Sequence, residues 1–281
     1  MSLLSNRHVQ LSLRPDGMQA TAWRGRLRPQ RTAERGLALD AADRSDDADA
    51  RAVRQLLDQL APLAPIAGST LHVDLADALV HFDVVEGEFA GLGARTLASF
   101  ADACVNELLG DQAAAYLVRW QLQRDERHLL VCALPRHWVD AVTAAARAHH
   151  LGVGTIRPRF NLQWNRHVGG KRAAHMVFVV ADGPNALITC VRDGAVTAIS
   201  NGPWFADRGD FEDSAVDRLL AGMGLADKSN VALIDLQVDR LLASLGIDPA
   251  APRDYVMVSA AEPHVYLSHR WTVLAPSGER P

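Results

Sequence analysis

The chain has 281 residues, 48% of them apolar, with a formal net charge of −4 and three cysteines. That length accommodates one or two substantial cores, and the mild acidity removes any electrostatic reason to expect nucleic acid or an anionic membrane surface as a partner. Cys104, Cys132 and Cys190 stand far apart among apolar neighbours, odd in number and without metal-ligand spacing, which fits small buried residues in a reducing compartment.

The opening MSLLSNRHVQ lacks the apolar core of a signal peptide, and no stretch approaches the ~20 apolar residues of a membrane span, so a cytoplasmic protein is expected. His8 to Leu13, the turn Pro15-Asp16-Gly17, Met18 to Trp23 and an extended run near Arg31 to Leu39 predict a three-stranded meander. The basic residues from Arg24 to Arg35 read as a solvated strand and turn rather than a phosphate track. The acidic stretch from Asp40 to Asp49 lacks the glycine and closing glutamate of a calcium loop. It reads as a loop feeding a helix, with Asp47 or Asp49 as cap and Val53, Leu56, Leu57 and Leu60 on one face.

Leu71 to Leu75 and Val80 to Val84 follow as strands. His72, His81, Asp74, Asp77 and Asp83 invite an acid-base or metal reading, but alternation places His81 and Asp83 opposite Val80 and Phe82, on a solvated face. A helix is predicted from Ala94 to Leu109 with Leu97, Phe100, Ala101, Cys104 and Leu108 as its apolar set, stopping at Gly110. Two strands, Ala114 to Gln121 and His128 to Leu134, precede a helix from Trp138 to His150, with His137, His149 and His150 read as cap and surface residues. Val153 to Pro158 is a strand and Arg159 to Val168 a short helix leading into Gly169-Gly170-Lys171, where the lobe boundary is placed.

The second lobe opens on a sharper meander. Met176 to Val180, Ala186 to Val191 and Val196 to Ile199 are strands, and Asp182-Gly183 and Asp193-Gly194 are turn pairs able to take positive φ. Helices at Asp210 to Met223 and Val238 to Leu245, strands at Asn230 to Leu236 and Tyr266 to Leu274, and a disordered tail from residue 277 complete the reading. The domain plan is a first lobe over 1–168, with an inserted α/β subdomain over 82–158, and a second lobe over 169–281. Two meanders, each followed by a helix and a strand, imply a duplicated unit: an α/β, two-lobed, actin-like (ribonuclease H-like) fold of mixed sheets with flanking helices.

The order of these elements resembles the PilM and GspL cytoplasmic-domain family, actin-like proteins of type IV pilus and type II secretion assembly. The passage from Val139 to Pro158 carries most of the likeness: the alanine-rich helix at Ala144 to Ala148, the Leu151-Gly152 loop and the strand end Ile156-Arg157-Pro158. The resemblance implies a non-catalytic scaffold that docks the cytoplasmic tail of a membrane-anchored partner, or the assembly ATPase, and is recruited to the inner membrane by that partner. GspL itself continues into a membrane span, so the layout is expected to be closer to PilM.

Nucleotide-binding actin-like proteins grip phosphate with two hairpin turns that need glycine for close backbone approach and aspartate for the metal. Placed by its strands, the first meander puts Ser12 and Arg14 at those positions, and the second, placed by its downstream Arg192-Asp193-Gly194 turn, puts Val180 and Asp182 there, so both turns read as eroded. A one-residue slip makes Asp16, Gly17, Asp182 and Gly183 the candidate ligands for ATP with magnesium, although Pro184 removes one N–H and Met18 replaces a hydroxyl residue. No Walker loop or nucleophile elbow is present, and no cofactor or enzymatic activity is expected. The alternative is an actin-like protein with ATP in the interlobe cleft.

Overall fold

A computed structural model of the chain describes residues 7–25, 28–39, 45–168, 175–182, 185–203, 234–248, 253–259 and 271–274. The first meander is β1 (Arg7–Arg14), β2 (Gly17–Arg24) and β3 (Gln30–Ala38), each antiparallel to the next. β4 (Thr70–Leu75) and β8 (Gly152–Pro158) add in parallel on the other side of β1, giving the order β3-β2-β1-β4-β8. The strand over 152–158, expected inside the inserted subdomain, is thus the edge of this sheet. Alternation in RHVQLSLR sends Val9, Leu11 and Leu13 to a fully buried face and His8, Gln10, Ser12 and Arg14 to a half-buried polar one.

Two helices serve the apolar face. α1 (Asp46–Leu60) lies against β2 and β3, α3 (Arg136–Ala148) against β8, and the two pack on each other. Ser45, not Asp47 or Asp49, caps α1, its Oγ accepting from the Ala48 N–H at 3.2 Å. Asp46, Asp47 and Asp49 sit in the first turn, where negative charge favours the helix dipole. The inserted region holds β5 (His81–Glu86), α2 (Ala94–Leu109), β6 (Tyr116–Leu122) and β7 (His128–Pro135), with the strands in the order β5-β7-β6. α2 has the predicted bounds but a different core face: Leu97, Ala101 and Val105 are buried, whereas Phe100 and Leu108 are 45% and 50% exposed.

α4 (Arg159–His167) precedes the second meander, β9 (His175–Asp182), β10 (Asn185–Arg192) and β11 (Ala195–Pro203). α5 (Ile234–Ser244), β12 (Asp254–Ser259) and β13 (Trp271–Leu274) follow, in the order β11-β10-β9-β12-β13. β12 and β13 are parallel to β9 and to each other, so this sheet repeats the first strand for strand. Val177, Val179, Ile188, Cys190, Val238, Leu242, Tyr255 and Met257 form its core against α5. Ile234 to Leu236 begin a helix rather than end a strand, and β12 takes the place expected for that strand.

The chain divides into two compact units, one drawn from 1–81, 93–120 and 131–162, the other from 82–92, 121–130 and 163–281. The linker Gly169-Gly170-Lys171, the turn residues Gly183 and Pro184, the helix expected at Asp210 to Met223 and the tail from 277 lie outside the described residues. Among the described residues no helix is long and apolar enough to cross a membrane.

Candidate functional site

The two hairpin turns are where an actin-like fold would hold phosphate. β1 and β2 pair without interruption to Arg14↔Gly17, so the loop is Pro15-Asp16, with proline pre-setting the backbone of the first loop residue. β3 lies alongside the start of β2, with Gly17 paired to Ala38: the Leu39 N–H donates to the Asp16 carbonyl at 3.0 Å, and a Cβ on Gly17 would meet the Leu37 carbonyl oxygen at 2.9 Å. Gly17 is therefore a close-approach glycine between strands. In the second meander β9 and β10 pair to Asp182↔Asn185, so Asp182 is the last residue of its strand. Gly183, the fourth candidate, lies outside the described residues. At Asp193 and Gly194 both φ angles are positive, 52° and 79°, as a two-residue hairpin turn with Gly at its second position requires.

Register now aligns the hairpins residue by residue, with Ser12 matching Val180 and Arg14 matching Asp182. Ser12 Oγ accepts from an Arg159 guanidinium N–H at 3.2 Å, and Arg14 Nε is buried without a hydrogen-bond partner among the described residues. The carboxylates of Asp74, on β4, and Asp77, just after it, are engaged. Asp74 accepts from Gln10 Nε2 at 2.8 Å and from Arg157 Nε at 2.9 Å, while Asp77 Oδ1 accepts from the Phe160 N–H at 2.8 Å at the start of α4. A hydroxyl and two guanidinium groups stand where a metal-binding turn would need a carboxylate.

The other residues singled out by sequence are dispersed. His81 Nε2 meets the Tyr116 hydroxyl at 3.3 Å, Asp83 accepts from the Val84 N–H, and His72 Nδ1 meets Thr155 Oγ1 at 2.9 Å. His149 pairs with Asp58 at 3.2 Å and His137 lies between Asp46 and Asp49. Among the described residues no three His, Cys, Asp or Glu side chains gather into a metal site. Burial pushes the Cys132 thiol far up and Cys190 to about 11, so neither is a nucleophile near neutral pH. One feature was missed altogether: a 280 Å³ cavity lined by His8, Thr70, His72, Thr155 and Arg157.

No protein-family model and no curated protein matches the chain. Solved structures do. PilM in the PilM-PilN type IV pilus biogenesis complex superposes with a TM-score of 0.60 at 10% identity, over 90% of this chain and 81% of that one. The cytoplasmic domain of EpsL, an inner membrane component of the type II secretion system of Vibrio cholerae, gives 0.52 at 10% identity over 98% and 91%. A Bacteroides thetaiotaomicron protein with an actin-like ATPase fold gives 0.52 at 7% identity over 92% and 82%. The chain thus has an actin-like fold, and over most of its length it is structurally similar to PilM and to cytoplasmic EpsL.

Proposed function

We propose that this chain is a non-catalytic actin-like scaffold of a type IV pilus or type II secretion-like apparatus, docking the cytoplasmic part of a membrane-anchored assembly partner or the assembly ATPase. The observation that carries the reading is the likeness, over at least 90% of the chain, to one protein solved as a pilus biogenesis complex and another from a secretion system's inner membrane component. The first hairpin supports the non-catalytic part. The strand leading into its turn carries Ser12 and Arg14 in place of a metal-holding aspartate and a phosphate-facing glycine, and Gly17 is closely paired beside β3.

The test is a titration of the full chain with the cytoplasmic segments of membrane-anchored proteins encoded beside it. Saturable binding to one of them is expected, and failure to bind any overturns the reading. Thermal unfolding in millimolar Mg-ATP separates the nucleotide-binding alternative. A flat melting temperature is expected, whereas ligand at a hundred times its dissociation constant would add about 2.7 kcal/mol.

A further inference from the structure

The cavity missed by sequence is built by a single extra residue. β4 and β8 pair as Thr70↔Gly152 and Leu71↔Val153, and then the register shifts so that His72 faces Thr155, Val73 faces Ile156 and Asp74 faces Arg157. Without the shift Gly154 would face His72, Thr155 would fall on the apolar face with Val73, and Ile156 would stand on the polar face. The bulge at Gly154 therefore delivers Thr155 and Arg157 to the His72 side of the sheet, the re-aiming that bulges perform beside sites. A Cβ on Gly154 would come within 2.5 Å of Thr70 Cγ2 and 2.8 Å of His72 Cε1, so a larger residue there would displace two of the lining side chains.

The lining is polar, and each of its residues can donate a hydrogen bond. Thr70 and Thr155 offer hydroxyls, His8 and His72 imidazoles, and Arg157 a guanidinium whose Nε is held by Asp74. One of its five N–H donors is thereby fixed, which orients the plane that carries the others. Both oxygens of Asp74, the carboxylate on this face, are engaged, one by Arg157 and one by Gln10. His72 is held by Thr155, and His8 lies between Trp23, stacked at 6.2 Å, and His72, edge-on at 6.0 Å. The cavity sits at the starts of β1 and β4, four residues or about 13 Å along the strand from Ser12, and so apart from the hairpin turn.

We propose that this cavity binds a small molecule carrying an oxyanion, a phosphate or a carboxylate, which takes up the Arg157 guanidinium and the two threonine hydroxyls. The site is independent of the scaffold reading. Burial lowers the pKa of both imidazoles, for His8 with His72 adding to it and for His72 with Arg157 adding and Asp74 opposing. At neutral pH the positive charge in the site is therefore that of Arg157, and a bound anion raises both histidines.

The experiment follows the imidazole NMR signals of the full chain, with His8 and His72 assigned by single substitution, while inorganic phosphate or acetate replaces chloride at constant ionic strength. Saturable movement of the His8 and His72 signals, with His81 unmoved and the two pKa values raised, is the expected result. A response to phosphate alone assigns a phosphate-bearing ligand, and a response to both assigns carboxylates as well. Arg157→Gln should weaken binding about tenfold. Thr155→Val, at an exposed position that leaves the Arg157–Asp74 pair intact, should weaken it several-fold and guards against a folding defect in the first variant. Linear drift of all histidine signals, unchanged in both variants, overturns the proposal.

Discussion

The two five-stranded sheets share one topology and differ in what their first strands do with it. In β1 every second residue is buried, and the intervening face carries His8, Gln10, Ser12 and Arg14. In β9 six consecutive residues from Met176 to Ala181 are buried, and β10 repeats this from Ala186 to Val191. The reason lies in what covers the second face: Trp164 of α4 meets the ring of Phe178 edge-on at 5.9 Å, on the side of β9 away from α5. A sheet buried on both faces has only packing to offer there. The sheet with one polar face is where a duplicated unit can carry recognition.

The sharpest way to break this comparison is to truncate matched residues. Phe178 and Gln10 occupy equivalent positions in β9 and β1. Phe178→Ala should cost about 3–5 kcal/mol in chemical denaturation, because a fully buried ring is lost. Gln10→Ala should cost about 1.5–3 kcal/mol, the loss of one hydrogen bond to a buried carboxylate. Equal costs would mean that the polar face is as tightly packed as the apolar one. At the hairpins, Gly17→Ala should cost about 1–3 kcal/mol, since the Leu37 carbonyl must move, whereas Asn185→Ala at the matched position should stay within about 0.5 kcal/mol. A neutral Gly17→Ala would return Gly17 to the list of glycines kept for a ligand.

Thr189 gives a smaller effect of the opposite sign. It is fully buried in β10, and among the described residues its hydroxyl has no hydrogen-bond partner, the cost of placing a polar atom in a doubly covered strand. Thr189→Val should stabilise the protein by about 1 kcal/mol, read as a higher denaturation midpoint at unchanged slope. A destabilised variant would mean that the hydroxyl has a role in the second sheet.

Much of this fold was legible because its signals are local. Asp193-Gly194, the alternation of His8 to Leu13, the apolar run at Met176 and the Gly110 stop of α2 each act within a few residues. β12 was not legible, because the run from Val231 to Ile234 satisfies strand and helix patterns alike and drew the strand away from Asp254 to Ser259. The site failed for a different reason. Gly17 reads as a turn glycine until β3 is seen paired closely beside it, and Thr155 and Arg157 join His72 only through the Gly154 bulge. Nothing in GVGTIRP says which residue is the extra one.

The last difference between the sheets is electrostatic and is the smallest. His8 and His72 sit half-buried on the polar face, and burial favours their neutral forms, so the folded chain binds a proton at these positions less readily than the unfolded one does. The charged groups facing the pair are Arg157 from β8 and Asp74 from β4, and β2 contributes the uncharged ring of Trp23. With folded pKa values below the unfolded 6.5, both states are neutral above that pH and the pair leaves stability unchanged there. As pH falls through 6.5 the unfolded chain takes up protons first, and stability is lost until the folded pKa values are passed. Denaturation midpoints compared between pH 7.5 and 5.5 should therefore fall less steeply in His8→Gln and His72→Gln than in the parent. Equal slopes in all three proteins would remove the histidine pair from the features that set the first sheet apart.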